Sequence, residues 1–210
     1  MQSEFLSTLA VAEYLGLRPV FSDNNRTGGS SFLCHTLQAA LALQAGLCEV
    51  ALIVYASNQR SALGKLQTSV SGSWSVYEAP YEARFPVSSY ALCASRHMHQ
   101  YGTTRAQLAE IAVAARLWAQ KNPKAWSRDP LTIEDCLNAR PISEPLHRND
   151  ICLVTDGGGA CIVTTAARAR DAAKTPIRIL GAAESHTHWH ISQMPDLTVS
   201  AAARTGPEAF

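Results

Sequence analysis

The clearest hydrophobic pattern in the chain is an apolar block that follows a glycine turn. Residues 32–43 carry apolar side chains on nearly every face, which predicts a buried helix rather than an amphipathic one. Gly46 follows at its C-terminal end, and the apolar run 50–55, VALIVY, has the length of a strand. The pattern therefore predicts a turn, a buried helix, a second turn and a buried strand.

The glycine turn at Thr27-Gly28-Gly29 precedes this helix directly. Ser30 and Ser31 are placed to cap the helix, so its first N–H groups are expected to point back into the turn. Two adjacent glycines permit backbone geometry or a close approach that side chains would block. Such a turn often holds a developing negative charge, and it is also a common way to pack an α/β core. On these features alone, plain packing is the favoured interpretation.

Helices and strands alternate along the rest of the chain. The predicted helices cover residues 5–17, 87–101, 104–122, 132–137 and 166–173, and the predicted strands cover 19–21, 50–55, 160–163 and 177–183. Residues 58–81 are rich in serine, glycine and aromatic side chains and are expected to form an ordered excursion. This alternation predicts an α/β fold with a mixed sheet.

Composition and charge narrow the function classes. With 210 residues, 47% of them hydrophobic, the chain is long enough for a sizeable core. The formal net charge of +1 and the lack of a basic tract argue against nucleic acid as a partner. No apolar run is long enough for a membrane span, and the start has no basic signal region, so a cytoplasmic protein is expected. The six scattered cysteines are expected to be reduced and mostly buried.

The densest cluster of potential metal ligands is His186, His188 and His190. On a strand, residues at i, i+2 and i+4 share one face, so three imidazoles could meet a metal ion. No carboxylate or cysteine follows at a ligand spacing, and Pro195 soon ends the segment. A polar loop or a rim that faces a ligand is therefore the favoured interpretation, and no metal is expected.

Two other groups of reactive residues carry no evident chemistry. Cys34 and His35 are neighbours on a helix, so their side chains diverge by about 100° and form no ready nucleophile–base pair. The run 156–159, DGGG, lacks the lysine of a P-loop, and its strand follows the glycines instead of preceding them. It is interpreted as a tight connection.

A series of short motifs, in order and at consistent spacing, resembles the middle portion of a thiolase of the sterol-carrier-protein type. The series begins with the glycine turn and its apolar helix. The motifs that follow are residues 46–53 (GLCEVALI), 101–116 (YGTTRAQLAEIAVAAR), 122–123 (NP), 131–135 (LTIED), 140–146 (RPISEPL) and 156–163 (DGGGACIV). Each is weak alone, but together they are specific.

The resemblance implies a thiolase-like α/β fold, a mixed sheet covered by helices, built from two similar halves. Residues 1–57 and 150–175 would form the first half, incomplete at its N-terminus. Residues 58–149 would form the inserted loop domain, and 176–210 would begin a second half that is mostly absent. Thiolases take an acyl group from coenzyme A on a cysteine at the start of the buried helix, so the implied class is acyl-CoA C-acyltransferase, similar to acetyl-CoA acetyltransferase.

This sequence departs from the thiolase pattern at the nucleophile. Counting back from Gly46, the place of the cysteine falls on Gly29 or within a residue of it, where no thiol is present. Cys34 lies more than a helical turn further on. Ser30 or Ser31 would need a nearby base to replace the thiol, while Thr27 and Gly28 are expected to contact substrate. The resemblance thus implies an acyl-CoA protein of lipid or steroid metabolism that is inactive as an ordinary thiolase.

Two alternatives remain open for such a chain. A glycine at the nucleophile position is known in thiolase-like proteins that cleave or merely bind acyl-CoA, including aldolase-like relatives of steroid side-chain breakdown. The chain would then be a retro-aldolase or a non-catalytic acyl-CoA-binding subunit. A partner of OB-fold and zinc-ribbon type is implied as possible, and a homodimer is implied for the complete protein. A coenzyme A thioester is the expected substrate, with no further cofactor.

Overall fold

The computed structural model describes residues 7–25, 27–63, 69–70, 76 and 78–210. The helices are α1 (Ser7–Tyr14), α2 (Ser31–Gln44), α3 (Gln59–Leu63), α4 (Val87–Tyr101), α5 (Arg105–Lys121), α6 (Ile133–Leu137), α7 (Ala166–Ala169) and α8 (Ala202–Ala209). The strands are β1 (Val50–Ser57), β2 (Ser69–Val70), β3 (Arg84–Phe85), β4 (Pro141–Ser143), β5 (Leu146–His147) and β6 (Gly157–Thr164). Short 3-10 turns cover Gly28–Ser30, Ala79–Tyr81, Arg148–Asp150 and Ile191–Gln193.

The chain divides into two compact units. The first unit contains the described residues up to Ala56 together with Gly158–Ser185 and Ala202–Phe210. The second unit contains Ser57–Gly157 and His186–Ala201. The division into a first half, a loop domain and the start of a second half, which the resemblance implies, stays a prediction.

The first unit is organised by α2, β1 and β6. The two strands are neighbours in one sheet, and the strand predicted at residues 50–55 is confirmed as β1. Gly158 shows why a glycine run opens β6: a Cβ there would lie 2.9 Å from the Tyr55 carbonyl oxygen and 3.0 Å from the Cβ of Ala56. Only glycine therefore allows β6 to approach β1 so closely.

The apolar residues of this unit are less buried than the pattern predicts. On α2 the buried residues are Cys34, Ala39 and Ala42, whereas the side chain of Leu33 is 74% exposed. On β1 only Ile53 is buried. The prediction that this helix is buried all round is therefore wrong for part of its surface. The physical reason is that the described sheet has two strands here, so much of the surface around it is uncovered within this chain.

The second unit packs α4, α5 and α6 around small buried side chains, namely Val87, Ala91, Ala109 and Cys136. β2 pairs with β3, and β4 pairs with β5, both antiparallel. Arg105 ties the unit together, because its guanidinium lies 2.6 Å from Nε2 of the buried His147 and 3.8 Å from a carboxylate oxygen of Asp150.

Local helix signals in this unit are confirmed closely. α4 ends at Tyr101, and Gly102 takes a left-handed φ of 70°. Thr104 and Gln107 form the predicted capping box at the start of α5. The short helix predicted at 132–137 is α6, and Thr132 and Asp135 form a second capping box there.

Two predicted strands and one predicted helix differ from the structure. Residues 19–21 and 177–183 form no strand, and Ile177 is 96% exposed. A strand needs a neighbour for its N–H and C=O groups, and the apolar content of these segments does not supply one. The helix predicted at 166–173 ends at Ala169. The helix predicted at 5–17 covers Ser7–Tyr14 among the described residues.

Of the serine- and aromatic-rich excursion at 58–81, residues 64–68, 71–75 and 77 lie outside the described residues. Its described parts are α3, β2 and the Ala79–Tyr81 turn. Across the described residues, no helix joins the length to the apolar character that a bilayer crossing requires.

Candidate functional site

The candidate site is the turn from Thr27 to Ser31 at the start of α2. Gly28 has a φ of +82°, a left-handed conformation that side chains disfavour. From there Gly28–Ser30 forms a 3-10 turn that leads straight into α2, and the Ser31 N–H donates to the Gly28 carbonyl. The first N–H groups of a helix have no acceptor within the helix. The turn and the first residues of α2 therefore bring backbone N–H groups together at the N-terminal end of the helix.

Hydrogen bonds within the turn occupy the hydroxyl of Ser31. It donates to the Gly28 carbonyl at 2.7 Å and accepts from the Thr27 N–H at 3.1 Å. The Thr27 hydroxyl oxygen lies 3.2 Å from the hydroxyl oxygen of Ser31. Because its one proton is already donated to a backbone carbonyl, Ser31 braces the turn instead of presenting a free hydroxyl.

Ser30 occupies the N-cap position of α2, but its side chain makes no cap hydrogen bond. Its hydroxyl donates instead to the Thr27 carbonyl at 3.4 Å. The prediction that Ser30 or Ser31 caps the helix is therefore wrong. The physical reason is that the 3-10 turn brings backbone carbonyls within reach of both hydroxyls.

Gly29, the position assigned to the nucleophile, is not demanded by the backbone or by space. Its φ lies outside the left-handed region, and a Cβ at this residue would meet no atom within 4 Å. A Cβ is therefore tolerated at this position, and neither the backbone nor the space around that Cβ requires a glycine.

The cysteine nearest to the turn in sequence is Cys34, inside α2. It is only 6% exposed, and the Thr27 hydroxyl donates to its Sγ at 3.5 Å. Thr27, predicted to contact substrate, therefore also links the turn to the interior of the helix. All six cysteines are free, as predicted, but only Cys34 and Cys136 are buried, so the prediction that they are mostly buried is wrong.

The segment of His186, His188 and His190 is a loop, as the favoured interpretation predicts, because residues 186–188 have no regular secondary structure. The alternation that would align them on one face is therefore absent. His190 instead has Nδ1 3.6 Å from a carboxylate oxygen of Glu78, and the Thr187 hydroxyl lies 2.8 Å from Nδ1 of His188. The Glu78–His190 pair joins residues far apart in sequence, so no sequence pattern could reveal it.

Asp156, at the start of the DGGG run, has a structural role. Its carboxylate accepts hydrogen bonds from the backbone N–H groups of Ser61 at 3.1 Å and Arg60 at 2.8 Å. The Ser61 N–H is the largest cause that holds the pKa of Asp156 below its ordinary value. Because these donors lie in the first turn of α3, the carboxylate of Asp156 anchors the start of that helix.

No protein-family model matches the chain. It is 37% identical, over 84% of its length, to the 17-hydroxy-3-oxo-4-pregnene-20-carboxyl-CoA lyase of Mycobacterium tuberculosis. It is 36% identical, over 85% of its length, to the steroid side-chain-cleaving aldolase of Thermomonospora curvata. It is 28% identical, over 100% of its length, to an acetyl-CoA acetyltransferase of Methanothermobacter thermautotrophicus.

A solved structure described as "Ltp2-ChsH2(DUF35) aldolase" superposes with a TM-score of 0.81 at 33% identity over 94% of this chain. The chain belongs to the thiolase superfamily. The α/β thiolase-like fold predicted from the motifs is thereby confirmed. This thiolase-superfamily chain spans about half the length of the relatives it matches, 48% of both steroid proteins and 53% of the chain in that solved structure.

Proposed function

We propose that this protein acts on an acyl-CoA of lipid or steroid metabolism and cleaves a carbon–carbon bond by a retro-aldol reaction instead of thiolytic acyl transfer. The observation that carries the proposal is the turn at α2. Gly29 offers no thiol although a Cβ there would meet no neighbouring atom, and the Ser31 hydroxyl is donated to the Gly28 carbonyl. Nothing in the turn is poised to accept an acyl group.

A retro-aldol step needs no covalent nucleophile. A general base takes the proton from the hydroxyl on the β-carbon of the thioester, the bond between the α- and β-carbons breaks, and the β-carbon becomes a ketone. The electron pair moves into the enolate of the remaining thioester, and a proton returned to the α-carbon completes the reaction. Backbone N–H groups at the start of a helix stabilise an enolate oxygen of this kind. The Gly28–Ser30 turn supplies such groups.

The identity to two proteins named for cleavage of a steroid compound supports this proposal over acyl transfer. Their identities of 37% and 36% exceed the 28% shared with the acetyl-CoA acetyltransferase. On that basis the thioester would carry a steroid side chain with a hydroxyl on the β-carbon.

A second candidate is a non-catalytic acyl-CoA-binding subunit that works with a partner chain. Exposed apolar residues on both α2 and the neighbouring sheet favour it, including Leu33, Leu52 and Ile162. The similar solved structure is described as an assembly of two named components. We propose a protein of OB-fold and zinc-ribbon type as the partner chain, and a homodimer as the state of the complete protein.

Incubation with two thioesters tests the proposal. One is a steroid-CoA with a hydroxyl on the β-carbon, and the other is a long 3-oxoacyl-CoA supplied with free coenzyme A. Mass spectrometry is expected to find a steroid ketone and a shortened CoA thioester from the first, and no thiolysis of the second. Thiolysis would contradict the proposal. Turnover of neither, together with thermal stabilisation by the steroid-CoA, would instead favour the binding subunit.

A further inference from the structure

A cleft of about 490 Å³ in the second unit lies apart in sequence from the turn at α2. We call it the α4 cleft, because Ser88, Ser89 and Leu92 of α4 form part of its wall. Residues 191–197 and the Ala79–Tyr81 turn contribute apolar side chains, namely Ile191, Leu197 and Tyr81. Pockets for small molecules measure roughly 300–1,000 Å³ and are mostly apolar with a few polar groups. The α4 cleft meets both criteria.

Glu78 holds one wall of the cleft in place. Its side chain is 12% exposed and accepts a hydrogen bond from the Ser192 N–H at 3.3 Å. The same carboxylate lies 3.6 Å from Nδ1 of His190. These contacts fix the chain on either side of Ile191, so an apolar side chain is presented to the cleft without first being ordered by a ligand.

The charge of the cleft selects against phosphate. Among the described residues that line it are two carboxylates, Glu78 and Glu82, and no lysine or arginine. A phosphate placed here would be repelled by both carboxylates. The phosphate-bearing coenzyme A portion of a thioester is therefore a poor occupant, whereas an uncharged apolar group would find matching walls.

Hydroxyl groups provide the few polar contacts that such a group could use. The hydroxyl of Ser88 accepts from the Arg84 N–H at 2.9 Å. A hydroxyl that accepts a hydrogen bond keeps its own proton for donation. Ser88 and its neighbour Ser89 are thus able to donate to a ketone or hydroxyl oxygen at the end of an apolar ligand.

We propose that the α4 cleft binds an uncharged steroid ring system, a step that rests on the function proposed above for the choice of steroid. A rigid ring system buries apolar surface without losing the rotational freedom that a linear acyl chain loses. Its terminal oxygen would accept from Ser88 or Ser89. The site adds a steroid-recognition surface that is separate in sequence from the turn at α2.

Equilibrium dialysis of the full protein with labelled androstenedione, an uncharged steroid diketone, tests the proposal. Leu92→Trp enlarges a half-exposed side chain on the cleft wall and should weaken binding by at least about tenfold, or about 1.4 kcal/mol. Leu117→Trp is the matched control, because Leu117 is 55% exposed on α5 and is not among the described residues that line the cleft. It should bind like the unaltered protein.

Further arms of the same experiment separate the possible outcomes. Ile191→Trp fills the cleft from another wall and replaces Leu92→Trp if circular dichroism shows that variant to be unfolded. A steroid sulfate should bind more weakly than androstenedione because of Glu78 and Glu82, and decanol should bind more weakly because it is linear. Equal binding by the cleft variants and the control would overturn the proposal, as would tighter binding of decanol or of the sulfate, or no steroid binding at all.

The probe carries no thioester and no bond to cleave, so the assay stands apart from the proposed reaction. Steroid binding that Leu92→Trp abolishes, with no cleavage of steroid-CoA, would leave the cleft assignment standing and reject the retro-aldol function. Cleavage of steroid-CoA with steroid binding that Leu92→Trp leaves unchanged would reject the cleft assignment alone.

Discussion

At the scale of single residues, the two glycines of the turn differ in what they require. Gly28 has a left-handed φ of +82°, whereas Gly29 has an ordinary φ and open space around its Cβ position. The backbone conformation at position 28 therefore favours glycine, whereas neither the backbone nor the surrounding space requires glycine at position 29. This contrast underlies the interpretation that the site lost, or never had, a thiol without any change of fold.

Gly28→Ala is expected to destabilise the protein, because a left-handed residue with a Cβ costs about 1–2 kcal/mol. Gly29→Ala is the matched control and should lie within about 0.5 kcal/mol of the unaltered protein. Urea unfolding measures both free energies. A control that loses as much as Gly28→Ala would show that the backbone of the turn differs from the one described here.

Gly29→Cys should fold normally and should still fail to cleave acetoacetyl-CoA in the presence of coenzyme A. The Cβ lies in open space, but acyl transfer also needs a base that activates the thiol. The turn residues 27–31 are threonine, glycine and serine, and they include no histidine, carboxylate or lysine that could act as this base. The assay follows loss of acetoacetyl-CoA by absorbance, and detectable thiolysis by this variant would refute the interpretation.

At the scale of elements, the helices of the second unit are set by their own ends. Thr104→Ala removes the side chain that accepts from the Gln107 N–H and should cost about 1 kcal/mol of stability. Thr104→Ser keeps an oxygen for the same bond and should recover most of it. Thermal or urea unfolding compares the two. Equal losses would mean that the threonine methyl group, and not the cap, is responsible.

The Asp156 carboxylate anchors the start of α3, and its contribution to stability should depend on pH. Its backbone hydrogen bonds lower the pKa in the folded protein. The added stability is therefore complete above the unfolded pKa of about 3.9 and is lost as pH falls through the lower folded value. Asp156→Asn should be less stable than the unaltered protein near neutral pH, and the gap should narrow in acid. A gap that stays constant from neutral to acid pH would contradict this account.

Some of these elements could be predicted from the sequence, and others could not. α4, α5 and α6 were predictable because caps and apolar stripes are local in sequence, as Thr104 with Gln107 demonstrates. The segments 19–21 and 177–183 were not, because a strand depends on a neighbour that local apolar content does not specify. The C-terminal end of α7, four residues before the predicted end, shows that helix boundaries are harder to predict than the presence of a helix.

Some features of the candidate site could likewise be predicted from the sequence, and others could not. The glycine turn and buried Cys34 could be read from the sequence, and the resemblance supplied the role of Gly29. The bracing hydrogen bonds of Ser31 could not, because they depend on the exact path of the 3-10 turn. The Glu78–His190 contact joins residues more than a hundred positions apart, and no local pattern reports such a pair.

At the scale of the whole molecule, the first unit leaves many apolar side chains of α2 and its sheet exposed within this chain. Soluble monomers rarely expose extended apolar patches. Leu33 on α2 and Leu52 on β1 are exposed within this chain, and the chain spans about half of each steroid relative. The proposed partner chain or second copy would cover such surface in the complete protein.

We infer that the turn at α2 binds an acyl-CoA without taking the acyl group. Intact-mass spectrometry after incubation with acetyl-CoA, and separately with a long 3-oxoacyl-CoA, tests it most directly. We expect an unchanged protein mass, because Gly29 has no thiol and the Ser31 hydroxyl is donated to a backbone carbonyl. A mass increase of one acyl group, mapped by peptide digestion to Ser30, Ser31 or a cysteine, would contradict it.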